Sequence, residues 1–329
     1  CSSDLNLDQQ YMFGHSLLVA PVMNEGETEK AVYLPEGEWI DFWHNALTAG
    51  GETKTYYADV DSIPVYVKNG SIIPMNLNAN YELGGSIGND VDNYTNLTFR
   101  VYPQGNSSYT VNNSDGTSME IQATENFDQH KVTVQLPAYD SQITTQIFGS
   151  RPSSVTANGN ELQQVSSLDE FVAGTDCFFY NANEKFTYVK SSVKDAVAIC
   201  VNGISKAPFE AEHAALTGVS TNTNHTGYYG EGFVEQFAEN GDAVAFTVYE
   251  DAEAEKSVVI RYSAGTEDAQ RSISVNGETV RISLPKTQDW DTWSEISVPV
   301  HVVAGRNTIN ICYNEGDFAG INLDCIRIE

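Results

Sequence analysis

The sequence predicts an all-β chain built as tandem β-sandwich domains, and three observations carry that prediction. Short runs of alternating, β-branched or aromatic residues recur along the 329 residues. Gly, Asn, Asp and Pro interrupt these runs at close intervals, as turns between strands do. Sustained helical periodicity is almost absent. With 41% hydrophobic and 11% aromatic residues the chain is globular, and its length suits two or three cores rather than one.

The units follow in order. The first runs from the N-terminus to about Met75 and holds Trp39 and Trp43. It is expected to close on strands around Pro64 to Val67 and Ser71 to Pro74, with Asn69-Gly70 as their hairpin turn. Trp39, Phe42 and Trp43 read as residues of a sandwich core or a domain interface. The polar stretch from Asn76 to Asn96 suits a linker or long loop. A second unit spans about Leu97 to Val201, with strands at Thr98 to Tyr102 and Lys131 to Leu136. The third begins at Phe209, after Asn202-Gly203 and Pro208. Its strands are expected at Ala243 to Tyr249, Ser257 to Tyr262, Ser294 to Val302 and Thr308 to Tyr313.

Composition excludes several functions. The 45 acidic against 17 basic residues give a net charge of -28, which repels phosphate backbones and anionic membrane surfaces. Nucleic acid is therefore not an expected partner, whereas neutral ligands and cations are. No apolar run approaches the roughly 18 residues needed to span a bilayer, so no membrane insertion is expected. The chain opens on Cys1 without a basic or apolar leader, so the natural N-terminus and any signal peptide are expected upstream. Five cysteines are too few for a disulfide scaffold. Cys312 and Cys325 flank the turn from Glu315 to Gly320 symmetrically, so a hairpin there would set them opposite each other. They read either as buried thiols or as a bridge.

Three blocks lie in order near the N-terminus: Gln10-Tyr-Met-Phe-Gly-His-Ser-Leu-Leu-Val-Ala-Pro-Val22, Val32-Tyr-Leu-Pro-Glu-Gly-Glu-Trp-Ile-Asp-Phe-Trp43 and Ile63-Pro-Val-Tyr-Val-Lys-Asn-Gly-Ser-Ile-Ile-Pro-Met75. Together they resemble glycoside hydrolase family 31, in which such blocks form the end of a catalytic barrel and the proximal β-domain packed on it. His15 departs from the Asp that many members carry after Phe-Gly. Leu97 to Pro103 and Ser107 to Val111, before Asp115-Gly116, resemble the distal C-terminal β-domain of that family. The third unit resembles carbohydrate-binding module family 35. The blocks are Phe209-Glu-Ala-Glu-His213, Tyr229-Gly-Glu-Gly-Phe-Val234, Asp289-Trp-Asp-Thr-Trp293, Ala304-Gly-Arg-Asn-Thr-Ile309 and Gly320-Ile-Asn-Leu-Asp-Cys-Ile326. The resemblance implies residues 1–22 as the end of the barrel and lead-in, and 23–76 as the proximal domain. It further implies 77–202 as the distal domain and 203–329 as a β-jelly-roll module.

The third unit carries the candidate site. Glu210 and Glu212 stand two apart in an expected strand, which projects both carboxylates from one face. Asp324 lies near the end of the last strand, a natural neighbour of the first. Three hard oxygen ligands suit calcium better than zinc. The bland alternative is a solvated acidic strand edge, and the resemblance implies a structural Ca2+ held by Glu210, Glu212 and Asp324. Sugar binding requires a flat apolar surface for a pyranose face and a few polar groups for its hydroxyls. Tyr229, Trp290 and Asn322 sit in three loop-flanking segments, and the resemblance implies that they supply two aromatic walls and a hydrogen-bonding amide. Trp290 lies in a polar loop where an exposed indole is costly unless used. Trp293, opening a strand, reads as structural, and Tyr228 is a further neighbour.

Retaining glycosidases need two carboxyl groups about 5 to 5.5 Å apart. The family's nucleophile and acid/base blocks precede the Gln-Tyr-Met-Phe-Gly motif and are absent here, so no catalytic residue is expected in this segment. The expectation is the accessory, glycan-binding C-terminal region of a secreted α-glycoside hydrolase or transglycosylase acting on α-glucosides. Its partners would be an oligo- or polysaccharide, tethered by the last unit, and an upstream barrel. The alternative is a stand-alone carbohydrate-binding or adhesion protein.

Overall fold

The computed structural model describes residues 8–58, 62–83, 96–112, 116–139, 143–250 and 252–329. The chain forms two compact units: Cys1–Lys68 together with Pro208–Glu329, and Asn69–Ala207. Both are built of strands, as expected; the described residues contain a single short α-helix, Leu168–Ala173. Cys1, most of the expected linker (84–95) and Asp115 lie outside the described residues.

The N-terminal part of the first unit is a five-stranded sheet in the order Tyr11–Phe13, Leu17–Val19, Val65–Lys68, Glu38–Asp41, Leu47–Ala49, accompanied by the ribbon Glu29–Leu34 with Glu52–Tyr57. Alternation explains the ribbon: Val32 and Leu34 turn inward and pack with Leu18, Trp39, Tyr56 and Tyr66. Trp39 is buried and donates its indole N–H to Pro35 O at 2.8 Å. Gly50 is obligatory there, because any Cβ would overlap Pro35 O. Trp43 is 43% exposed, edge-on to Phe42, and so lies outside the core.

Residues 11–19 supply two strands of the sheet. One expectation fails in this region: the hairpin across Asn69-Gly70 does not form. Gly70 adopts the left-handed turn (φ 82°), but Val65–Lys68 pairs with Leu17–Val19 and Glu38–Asp41, while Ile72–Leu77 pairs with Asn96–Val101 in the second unit. Partner edges, not the turn dipeptide, decide the pairing.

The second unit packs two six-stranded sheets. One carries Ile72–Leu77, Asn96–Val101 and Ile143–Phe148, the last two parallel; the other carries Ser118–Asn126, Lys131–Leu136 and Val197–Asn202. Phe99, Val101 and Ile147 meet Ile121, Val132, Val134 and Ile199 between them. The helix starts at Ser167, whose Oγ accepts from Glu170 N, the usual hydroxyl cap.

Residues 208–329 form a two-sheet sandwich. The first sheet runs Ser220–Asn222, Phe233–Glu235, Asn322–Ile328, Ala254–Ser263, Ser294–Val302, with Phe209–Glu210 also paired to Asn322–Ile328. The first and last strands are thus neighbours. The second sheet runs Ala215–Thr217, Ala243–Glu250, Gly305–Cys312, Ala269–Val275, Glu278–Leu284. Val244, Phe246 and Val248 alternate into the core. Buried Asn307 explains the Gly-Arg-Asn block: its amide accepts from Val303 N and donates to Val303 O and Gly305 O, locking the turn. Cys312 and Cys325 fall on different sheets and both are free thiols, so of the two readings the thiols hold and the bridge does not form.

This sandwich packs on the N-terminal part within the first unit. The rings of His44 and His213 lie 5.7 Å apart, and Arg306 pairs with Glu52. Leu47, Thr48 and Lys54 line one hollow with Phe209, Ala215 and Phe246.

Candidate functional site

The site lies at one end of the 208–329 sandwich, and its first component is Trp290. Thr287 fixes the supporting loop: its N donates to Ala264 O at 2.9 Å, while its Oγ1 accepts from Ala264 N and donates to Asp289 O at 2.7 Å. Asp289 Oδ1 then accepts from Asp291 N and Thr292 Oγ1, turning the chain just after the indole. The half-buried indole lies on Gly265, where a Cβ would fall 2.6 to 2.7 Å from Cγ, Cδ1 and Cδ2. Near-equal distances put backbone beneath one ring face. A Cβ on Gly320 would meet the far edge, Cη2, at 3.7 Å.

Asn322 joins this group from the last strand, in register with Ser263 and two residues beyond Gly320. It is buried, yet its Nδ2 has no hydrogen-bond partner, and neither has buried Ser263 Oγ. An unmade buried donor costs about 1–3 kcal/mol. Two such groups beside an indole platform are suited to a ligand that supplies hydroxyls.

Tyr229 lies on an adjoining loop. It is 39% exposed, and the Arg261 guanidinium stacks 3.9 Å from its ring centroid. Arg261 also donates to Gly227 O at 2.8 Å and pairs with Asp324, whose Oδ1 accepts from Tyr229 N at 2.9 Å. Thr226 N donates to Asp291 Oδ1 at 2.7 Å, tying the Tyr229 loop to the Trp290 loop. The three predicted binding residues therefore stand on three linked segments. Trp293 is occupied structurally: its indole N–H donates to Thr226 O and its ring packs edge-on to Phe233. Tyr228 packs on Phe233 as well.

Behind Tyr229 lie the three predicted metal ligands. The strand geometry expected for the glutamates is wrong in one respect: the strand ends at Glu210, and Glu212 sits on the 3-10 turn Ala211–His213. Their carboxylates still converge. A Cβ at Gly230 (φ 65°) would lie 2.6 Å from Glu212 Oε1 and 3.1 Å from Glu210 Cδ, so only glycine fits between them. Glu212 Oε1 accepts from Glu231 N and Gly232 N, while its Oε2 is buried without a hydrogen bond. Burial, reinforced by Glu210, pushes Glu212 up to about 8. Burial likewise raises Asp324 to about 7, against the pull of Arg261. Asp324 is a bulge residue, since Arg261 pairs with Cys325 and Tyr262 with Leu323, and a bulge re-aims the side chain it inserts.

Hard oxygen donors, an orphaned carboxylate oxygen and mutual repulsion fit a divalent cation of the calcium type. Among the described residues, however, no three His, Cys, Asp or Glu side chains are gathered closely enough to enclose a metal. Arg261 pairs with Asp324 on one side of this cluster.

Sequence reasoning missed Arg261, Ser263, Gly265 and Gly320. Arg261 had a signal: a cation inside the otherwise apolar run Val258-Val-Ile-Arg-Tyr262. The glycines had none, because what lies on them comes from other strands.

A two-sheet sandwich presenting an indole, a buried amide and an acidic cluster at one end has the form of a carbohydrate-binding module. Residues 207–329 match the family model for carbohydrate binding module (family 35), and residues 2–73 match that for the glycosyl hydrolase family 31 C-terminal domain. The chain belongs to glycoside hydrolase family 31, as a C-terminal portion ending in a family 35 module. It is 46% identical over 325 residues to an isomaltosyltransferase of Sporosarcina globispora, covering 98% of this chain and 30% of that protein. The solved cycloalternan-forming enzyme from Listeria monocytogenes, in complex with a pentasaccharide substrate, is also 46% identical, with a TM-score of 0.94 over 98% of this chain and 31% of its own. A further Listeria monocytogenes EGD-e structure, in complex with alpha-D-glucose, beta-D-glucose, magnesium and calcium, superposes equally well over the same shares at 46% identity. The chain thus spans about a third of the length of these relatives.

Proposed function

We propose that this chain is the accessory, glycan-binding region of a secreted family 31 enzyme that transfers or hydrolyses α-glucosyl units. The observation that carries the reading is the pairing of the Trp290 platform with the unpartnered Asn322 Nδ2 and Ser263 Oγ beside it. A pyranose laid on the indole offers apolar C–H groups to the ring and hydroxyls to the amide and serine, so both burial costs fall on binding. Tyr229 adds a second wall on its face away from Arg261.

Relatives named as transferases and as an enzyme with a pentasaccharide substrate favour α-glucan as the ligand and glucosyl transfer as the parent reaction. An upstream barrel is supported by an exposed strand: Tyr11, Met12 and Phe13 are 55%, 44% and 66% exposed. A stand-alone protein has no use for three consecutive exposed apolar residues. Glu210, Glu212 and Asp324 would hold a structural calcium, which would neutralise their repulsion and steady the Tyr229 loop.

The test is calorimetric titration of the full chain with α-1,4- and α-1,6-linked glucose oligosaccharides, beside Trp290→Ala. Truncating a central aromatic anchor should weaken binding by about 30-fold or more. Binding that survives Trp290→Ala intact would refute this site.

A further inference from the structure

Phe318 is 47% exposed, yet its backbone is held by hydrogen bonds from the neighbouring strand. Its carbonyl accepts from Gln270 N at 3.1 Å and from Arg271 Nη1 at 3.0 Å, and the next carbonyl, Ala319 O, accepts from Arg271 Nη2 at 2.7 Å. Arg271 is fully buried between the rings of Phe237 and Tyr313, 5.2 and 5.0 Å from its guanidinium carbon. On the other side, buried Asp317 accepts from Ser272 Oγ and Asn314 N and pairs with Arg281.

Ala319 sits at φ 62°, a left-handed conformation that disfavours any residue with a Cβ. Strain of this kind persists only where surrounding contacts over-determine it, and it collects at ligand sites. A buried arginine and a strained alanine therefore fix the backbone of one exposed phenylalanine. Its ring is not among the buried core residues.

Its position gives it a use. Two residues span at most about 7 Å, and Gly320 borders the Trp290 indole edge. Phe318 and Trp290 thus border one stretch of surface.

Resting on the glycan reading of the Trp290 site, we propose that Phe318 is a second stacking platform, engaging the next sugar unit of an α-glucan whose first unit lies on Trp290. Recognition then extends over at least two units, and the module discriminates oligosaccharide from monosaccharide.

The experiment titrates the full chain with glucose and with α-1,4- and α-1,6-linked glucose tetrasaccharides, using wild type, Phe318→Ala, Phe318→Trp and Trp290→Ala. Phe318→Ala should weaken tetrasaccharide binding about two- to tenfold, the range of one aromatic contact, and leave glucose unchanged. Phe318→Trp should restore the tetrasaccharide affinity. An unchanged thermal midpoint confirms that the exposed side chain does not support the fold. If Trp290→Ala abolishes binding while Phe318→Ala matches wild type, or weakens glucose equally, the second platform is refuted and the first site stands. If Trp290→Ala changes nothing, the site reading falls and the platform with it.

Discussion

Replacing Gly265 by alanine isolates the position of the Trp290 indole from every other property of the site. The glycine backbone does not occupy the left-handed region, and no polar group is removed, so the perturbation is one methyl. That methyl would start 2.6 Å from Trp290 Cγ, whereas carbon pairs rest at about 3.5–4.0 Å, so one partner must retreat by roughly 1 Å. The Thr287 bonds to Ala264 hold both backbones together. If they resist, overpacking costs about 1–3 kcal/mol of stability. If the indole yields, the stacking geometry is lost, worth about 0.5–1.5 kcal/mol or roughly two- to twelvefold in Kd. Calorimetric titration with an α-glucan oligosaccharide and a thermal melt of the same sample separate the two. Lower stability with unaltered affinity would place the strain in the backbone, with the indole kept where it stacks. No change in either would refute the placement of the ring on Gly265.

Two further predictions follow from the same end of the module. Calcium at a hundred times its Kd should stabilise the fold by about 2.7 kcal/mol, so chelation should lower the thermal midpoint of wild type; the Gly230→Ala variant, with a methyl wedged between Glu210 and Glu212, should show no calcium response. An unchanged melt on adding calcium and then chelator would remove the metal from the account. Arg271→Met should destabilise by about 1–3 kcal/mol, because it leaves the Ala319 carbonyl without its donor and removes one of the two donors to Phe318 O. A melt within error of wild type would show that the loop holds without its buried cation.

Strand identity was legible because alternation records which face is buried. Lys131–Leu136 and Ser294–Val302 begin and end where the pattern does. Pairing was less legible. Asn69-Gly70 makes its turn, but the two flanking strands find better edges in different sheets, and no local pattern encodes an edge supplied from 50 residues away. Symmetry about a turn likewise left a bridge between Cys312 and Cys325 open, but their strands go to opposite sheets and both thiols are free. At the candidate site, the family resemblance, with residue types in support, pointed to Tyr229, Trp290, Asn322 and the three carboxylates. What lay hidden was the surface beneath them: the glycines under Trp290, the bulge at Asp324, and the orphaned Ser263 Oγ opposite Asn322.

The packing of the sandwich on the N-terminal part of its unit bears on what glycan capture would accomplish. A module on a loose linker raises local concentration over a sphere set by the length of its leash. With His44 against His213, Arg306 paired to Glu52 and Phe209 sharing a hollow with Leu47, the leash is replaced by a bracket. A sugar chain seated on a bracket leaves it along one bearing and at one height. If the module captures glycan as proposed, it would set the direction in which a bound chain leaves the protein.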